Sequence, residues 1–243
     1  MPRYFLEVGY KGTAYHGFQV QDNAPTVQAA VQTALKILLK EEILLTGSSR
    51  TDAGVHALQN YFHFDTALVV LPKHVYNLNA ILPPDICIHS VRQVSPDAHC
   101  RFDAVARLYH YHIYTRKDPF MQDRGWHYPY TVDLQLLNQA AALIMNHTDF
   151  TSFAKRNTQV FTHNCTIQDS CWDLLEQNHL RYTVKANRFL RGMVRGLVGT
   201  MLKVGRGQIS LSEFENIILA KDATKADFST PPQGLFLVNV LYP

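Results

Sequence analysis

The sequence predicts an α+β fold made of two similarly built halves, and three observations carry that expectation. Strand and helix patterns mix in two successive groups along the chain. Of the 243 residues, 47% are hydrophobic, enough for a substantial core. No low-complexity linker divides the chain and no short-period repeat is present. Arg3 to Tyr10 alternates apolar and polar residues and reads as a strand, and Pro25-Thr26-Val27-Gln28 opens an amphipathic helix running to about Lys40. Ile43 to Thr46 and Asn60 to Phe64 read as strands, Pro72 to Leu82 as a short helix, and Ile86 to Gln93 as a strand. The second group begins at Arg107 to Tyr114, again alternating. Val132 to Met145 is then helical, and Thr166 to Leu174 and Leu180 to Ala186 are strands joined by a turn at Gln177-Asn178-His179. Phe189 to Val204 and Leu211 to Leu219 are helical, and Leu235 to Leu241 closes as a strand. The boundary between halves falls near Ala104 to Arg107, giving segments 1–104 and 105–243.

Bulk composition narrows the function classes. Lys plus Arg number 23 against 20 Asp plus Glu, so a polyanion site has to come from local clustering rather than net charge. The start Met1-Pro2-Arg3 leads directly into a strand pattern and lacks the features of a signal peptide, and the apolar patch around Ala67 to Leu71 is too short to cross a bilayer. Cys87, Cys100, Cys165 and Cys171 form no Cys-x-x-Cys pair, which points to free thiols in a reducing cytoplasm. His163, Cys165 and Cys171 lack the tight paired spacing of zinc ligands, and no metal is expected.

Chemistry concentrates at Ser48-Ser49-Arg50-Thr51-Asp52-Ala53-Gly54-Val55-His56-Ala57. A carboxylate among turn formers lies on a loop that a ligand can approach closely, although an Asp shortly before a Gly also serves simply to bond its own turn. The surrounding blocks favour the first reading. They are Tyr10-Lys11-Gly12-Thr13-Ala14-Tyr15-His16-Gly17-Phe18-Gln19-Val20-Gln21, Thr26-Val27-Gln28, Arg107-Leu108-Tyr109-His110-Tyr111, Phe189-Leu190-Arg191-Gly192-Met193-Val194-Arg195, Gly205-Arg206-Gly207 and Gln233-Gly234-Leu235-Phe236-Leu237. In this order and spacing the chain resembles the TruA family of tRNA pseudouridine synthases over nearly its whole length.

The resemblance implies a pseudouridine synthase fold, in which two related α/β halves share a mixed, largely antiparallel sheet around a central cleft. It implies isomerisation of uridine to pseudouridine at positions 38 to 40 of the tRNA anticodon stem-loop, without a cofactor, by a homodimer. Asp52 matches the catalytic aspartate. Such a carboxylate in a dry cleft drifts toward its neutral acid unless a cation opposes this, and a guanidinium at about 4 Å contributes on the order of 4 kcal/mol at an effective dielectric near 20. Arg195 matches the family's basic residue for that task, its alternative being a solvated helix charge. Tyr109 matches the tyrosine that stacks on the target uracil and assists the late proton transfer. On an alternating strand, Arg107, Tyr109 and Tyr111 share one face, and half-buried core is the alternative for them.

Arg188, Arg191 and Arg195, at three- and four-residue steps, make a guanidinium stripe along the expected helix, suited to phosphates. Gly192, Gly196 and Gly199 weaken that helix and imply close packing or approach of RNA, and the family often has histidine at the pair occupied by Arg191 and Gly192. Arg50 is expected either to enter the stack vacated by an everted uridine or clamp a phosphate, or else to bridge the loop. His16, Phe18, Gln19 and Gln21 resemble the family's tRNA-contacting loop, with Phe18 also a candidate for the core. His56 is expected to pack or cap locally, and Lys155 with Arg156 to form a weak basic cluster. Other readings are the same chemistry on a different RNA, a silent RNA-binding protein on this scaffold, or a metal enzyme using His163 and Cys165.

Overall fold

The computed structural model describes residues 1–155, 161–175 and 179–243. In chain order these form β1 (Arg3–Tyr10), α1 (Val27–Leu39), β2 (Thr46–Gly47), β3 (His56–Asp65), α2 (His74–Ile81), β4 (Ile86–Val94) and β5 (Ala106–Tyr114). There follow β6 (Trp126–His127), α3 (Leu134–Leu143), β7 (Ile167–Leu175), β8 (His179–Ala186), α4 (Met193–Gly205), α5 (Leu211–Leu219) and β9 (Leu235–Leu241). They divide into two compact units, Met1–Val105 with Phe236–Pro243, and Ala106–Leu235. The expected turn at Gln177 and Asn178, and Arg156 of the expected basic cluster, lie outside the described residues.

In the first unit β1 runs antiparallel to β3 and to β4, and β2 pairs antiparallel with β3. The closing strand β9 pairs in parallel with β3 through His56↔Phe236 and Ala57↔Leu237. Register between β1 and β3 is held at one end by a two-pronged ion pair, Arg3 Nε to Asp65 Oδ1 and Arg3 Nη2 to Asp65 Oδ2, both 2.7 Å. Helix α1 buries Val27, Val31, Ala34 and Leu35, a stripe at helical spacing. Thr26 caps it by accepting from Ala29 N–H, and Gly17 and Phe18 carbonyls take the N–H groups of Val27 and Gln28.

The expected strand from Ile43 to Thr46 is shortened to β2. The side chains of Gln32 and Gln28 donate to the carbonyls of Ile43 and Leu45, so α1 takes acceptors that a sheet ladder needs. In the second unit β5 and β7 flank β8, all antiparallel, and short β6 runs parallel to β5. Asp133 caps α3 by accepting from the N–H groups of Gln135 and Leu136, and Ser210 with Glu213 forms a reciprocal capping box on α5. The expected helix from Phe189 begins only at Met193, because Gly192 sits at φ +75 just before it.

His63, buried in β3, accepts from the N–H of Cys100 at Nδ1. Burial, with help from neighbouring His99 and Arg3 and against Asp65 and Asp103, pushes its pKa down to about 4. A histidine near 6.5 when unfolded and near 4 when folded contributes stability that is complete above pH 6.5 and fades as pH falls toward 4. The unfolding free energy is therefore expected to drop by about 2–3 kcal/mol over that interval. Urea titrations at stepped pH read this, and His63→Phe should flatten the slope.

Candidate active site

The loop carrying Asp52 is tied down mainly through its backbone. Ser48 N–H donates to Tyr61 O at 2.8 Å, and Asn60 Nδ2 donates to Ser49 O at 2.8 Å and to the Tyr10 hydroxyl at 3.3 Å. The Tyr10 hydroxyl also pairs with Thr51 Oγ1 at 2.8 Å. The N-terminal loop supplies the other side: Phe18 N–H donates to Thr51 O at 3.1 Å, and Gly54 N–H to Tyr15 O at 3.3 Å. Val55 N–H closes the turn on Asp52 O at 3.2 Å, with Gly54 at φ +76 meeting the positive dihedral of its third position. Two glycines let the loops touch. A Cβ on Gly12 would lie 2.0 Å from Val55 O, and one on Gly17 would lie 3.1 Å from Thr51 O.

This frame leaves Asp52 half-buried and Arg50, His16 and Gln19 exposed. Phe18 is corrected from the expected RNA-contacting set. Its ring is 1% exposed and stacks on Phe62 at 4.5 Å, because the backbone bonds from residues 17 and 18 to α1 and Thr51 turn it into the core. His56 is buried, accepts from Gly12 N–H at Nδ1 (3.0 Å) and stacks on Phe236 at 4.5 Å, so it braces the same loop contact.

In the second unit Tyr109 lies opposite Val184 on β5, 8% exposed, with its ring edge-on to Phe189 at 5.0 Å. Its neighbours on that face are committed: Arg107 Nη1 donates to Asn187 O at 3.0 Å and Tyr111 donates its hydroxyl proton to Pro231 O at 2.7 Å. Burial raises the Tyr111 phenol, the Arg195 charge opposing slightly, so it stays a neutral donor.

Arg195 occupies the first turn of α4, half-buried, where its Nε donates to Thr230 O at 2.6 Å and Thr230 Oγ1 donates back to Arg195 O at 2.9 Å. The glycines of this helix permit that embrace. A Cβ on Gly199 would lie 2.4 Å from Asp227 O and 2.7 Å from Thr230 Oγ1, and one on Gly196 would meet Phe228 at 2.8 Å. Packing thus accounts for both. The expected arginine stripe is not helical: Arg188 and Arg191 precede α4, in a segment where Lys155 N–H donates to Arg191 O and Gly192 abuts the Lys155 stem.

Thr230 was not anticipated as the anchor of Arg195. Its only trace in the sequence is the 196 and 199 glycine spacing, which announces a close neighbour without naming it. Cys165 is buried, its thiol pushed up to about 11 by burial, and among the described residues no three His, Cys, Asp or Glu side chains converge to hold a metal. No helix among them is long and apolar enough to cross a membrane.

Residues 140–243 match the family described as tRNA pseudouridine synthase. The tRNA pseudouridine synthase A of Parabacteroides distasonis is 44% identical, with 100% of this chain and 97% of that protein covered. The protein of the same name from Bacteroides thetaiotaomicron is 44% identical (100% and 91% covered), and that of Staphylococcus carnosus 36% identical (98% and 90%). Pseudouridine synthases are isomerases, and the mixed α/β units with their mostly antiparallel strands are of that class. The chain belongs to the tRNA pseudouridine synthase A family.

The tightest contact supporting the Asp52 loop gives a stability test. Gly12→Ala should lower the unfolding free energy by about 2–4 kcal/mol, since the new methyl group meets a backbone carbonyl that cannot yield locally. Gly207→Ala, with no atom within 4 Å but φ +68, should cost only about 1 kcal/mol of left-handed strain. Equilibrium urea denaturation compares the two.

Proposed function

We propose that this protein converts uridine to pseudouridine in the anticodon stem-loop of tRNA, at positions 38 to 40, as a cytoplasmic homodimer. The observation that carries this reading is the Asp52 loop itself, a half-buried carboxylate whose backbone is fixed on both sides before any RNA arrives. Preorganisation of that kind means a reacting group spends no binding energy on finding its position. Near-complete coverage by relatives named tRNA pseudouridine synthase A supports the reaction and the RNA class.

In the reaction the N-glycosidic bond breaks, the uracil turns, and a carbon–carbon glycosidic bond forms. The carbon that bonds to the sugar loses a proton and the released ring nitrogen ends protonated, so no oxidant, reductant or energy carrier is consumed. Asp52 acts on the nucleoside as nucleophile or base. Arg195, with its Nε engaged by Thr230, supplies the positive charge that keeps a carboxylate ionised once RNA excludes water. Tyr109 presents its ring to the target base, propped by Phe189. Arg50, exposed two residues before Asp52, offsets part of the cost of everting the nucleotide, and Arg188 and Arg191, with His16 and Gln19, contact the RNA outside the reacting base.

Asp52→Asn is expected to keep the fold and RNA binding and to abolish product, read by site-by-site pseudouridine mapping on unmodified tRNA transcripts. Product at a uridine outside 38 to 40 would reassign the target, and product made by the variant would remove Asp52 from the chemistry. Arg195→Leu should lower kcat by about 10²–10³-fold with little change in KM and shift the pH profile of kcat, measured by tritium release from labelled uridine, because more of the RNA complex then carries Asp52 as its neutral acid.

A further inference from the structure

The first unit holds a cavity of about 240 Å³, and of its lining the reaction outlined above uses only Arg50 and Gln19, at one side. Phe18 and Leu45 contribute its apolar wall, and Gln19, Arg50, His99, Arg101 and Phe102 contribute polar, cationic and aromatic groups. Phe102 is 74% exposed, although it sits on a segment held by several independent bonds. The His99 carbonyl and Nδ1 both accept from Phe102 N–H, the same ring nitrogen accepts from Arg101 N–H, and Asp103 Oδ2 takes the His99 N–H at 2.7 Å. Cys100, at the centre of the turn, donates its N–H to buried His63, its thiol to Thr46 O at 3.2 Å, and accepts the Tyr242 hydroxyl proton at 2.6 Å.

A rigid turn that presents a phenylalanine ring to solvent gives up apolar burial that a floppy loop would recover by folding the ring inward. The ring lies 4.2 Å from the His99 ring, and the Arg101 guanidinium is 5.6 Å above its face. With Nδ1 of His99 accepting backbone protons, the neutral imidazole carries its own proton on Nε2, a further donor. Aromatic surface, two arginines and neutral donors around a space of this size match one unpaired nucleotide, base on ring and phosphate on guanidinium. Arg50 belongs both to this cavity and to the Asp52 loop, two residues from the carboxylate, so an occupant sits beside the target rather than in its place.

We propose that this cavity is a second nucleotide subsite, in which Phe102 stacks on an unpaired base flanking the target uridine and Arg101 with Arg50 binds its phosphate. The proposal rests on the RNA-modifying reading given above. The test measures Kd for an unmodified tRNA transcript over a salt series, single-turnover isomerisation at saturating RNA, and sedimentation of the free protein. Phe102→Ala is expected to raise Kd at least about fivefold at every salt concentration with the saturated rate unchanged, and Phe102→Trp to restore affinity where Phe102→Leu does not. Arg101→Ala should reduce the slope of log Kd against log salt by about one phosphate contact.

Phe102 and Arg101 are exposed, so folding is not at stake, and unchanged circular dichroism and melting confirm that for each variant. Unaltered Kd in Phe102→Ala and Arg101→Ala, with the wild type still active on the transcript, overturns the subsite alone. A changed oligomeric state with unaltered Kd also overturns it, giving Phe102 to a protein contact. A wild type that makes no pseudouridine in the transcript refutes instead the functional reading on which the subsite rests.

Discussion

Everything the first unit offers chemically depends on one constraint, the contact of two loops through backbone atoms where no side chain fits. Val55 O lies where a Cβ of residue 12 would be, and Thr51 O close to where one of residue 17 would be. Hydrogen bonds from Phe18, Gly54 and the Tyr10 hydroxyl then fix the seam, and the same N-terminal loop supplies acceptors to the first turn of α1. The backbone at Asp52 is thereby held largely by main-chain groups, which have no rotamer to change. On the proposed function, a loop backbone held this way keeps its place when RNA replaces water, and backbone reorganisation that would otherwise raise the barrier is avoided.

The second unit solves a similar problem differently. Arg195 is long and flexible, and a helix position alone would leave its guanidinium free to sample many rotamers. The reciprocal bonds with Thr230 remove that freedom, and they require the segment 227–230 to lie almost on the helix surface, which Gly196 and Gly199 allow. Near-complete burial along α4 offsets the low helix propensity of its glycines. Here the glycines serve the positioning of a cation rather than any bend of the chain.

What could be read from the sequence follows from what is local. Helix α5 has its capping box and apolar spacing in adjacent residues, and its bounds, Leu211–Leu219, coincide with the expected ones; β5 is announced by alternation from Arg107 to Tyr114. The failures are tertiary. Gln28 and Gln32 divert the carbonyls that would have made Ile43 to Leu45 a strand, and no pattern within that tripeptide records it. Gly192 ends an apolar periodicity that otherwise runs from Phe189, so a stripe of arginines drawn on an ideal helix dissolves. Phe18 could not be sorted between core and surface without knowing that its own N–H was bound to Thr51. The resemblance at the level of the family directed attention to Asp52, Tyr109 and Arg195, but the groups beside them, Asn60 holding the Ser49 carbonyl of the Asp52 loop, Phe189 against Tyr109 and Thr230 on Arg195, emerge only from the packing.

Strand β9 pairs with β3 at His56 and Ala57, immediately after the Asp52 loop, and the ring of Phe236 covers His56. During synthesis, the first unit therefore waits for residues 236–243, which leave the ribosome only after the whole of the second unit. The brace on the Asp52 loop is thus made after the whole of the second unit, so a nascent chain stalled within that unit carries Asp52 without its full support.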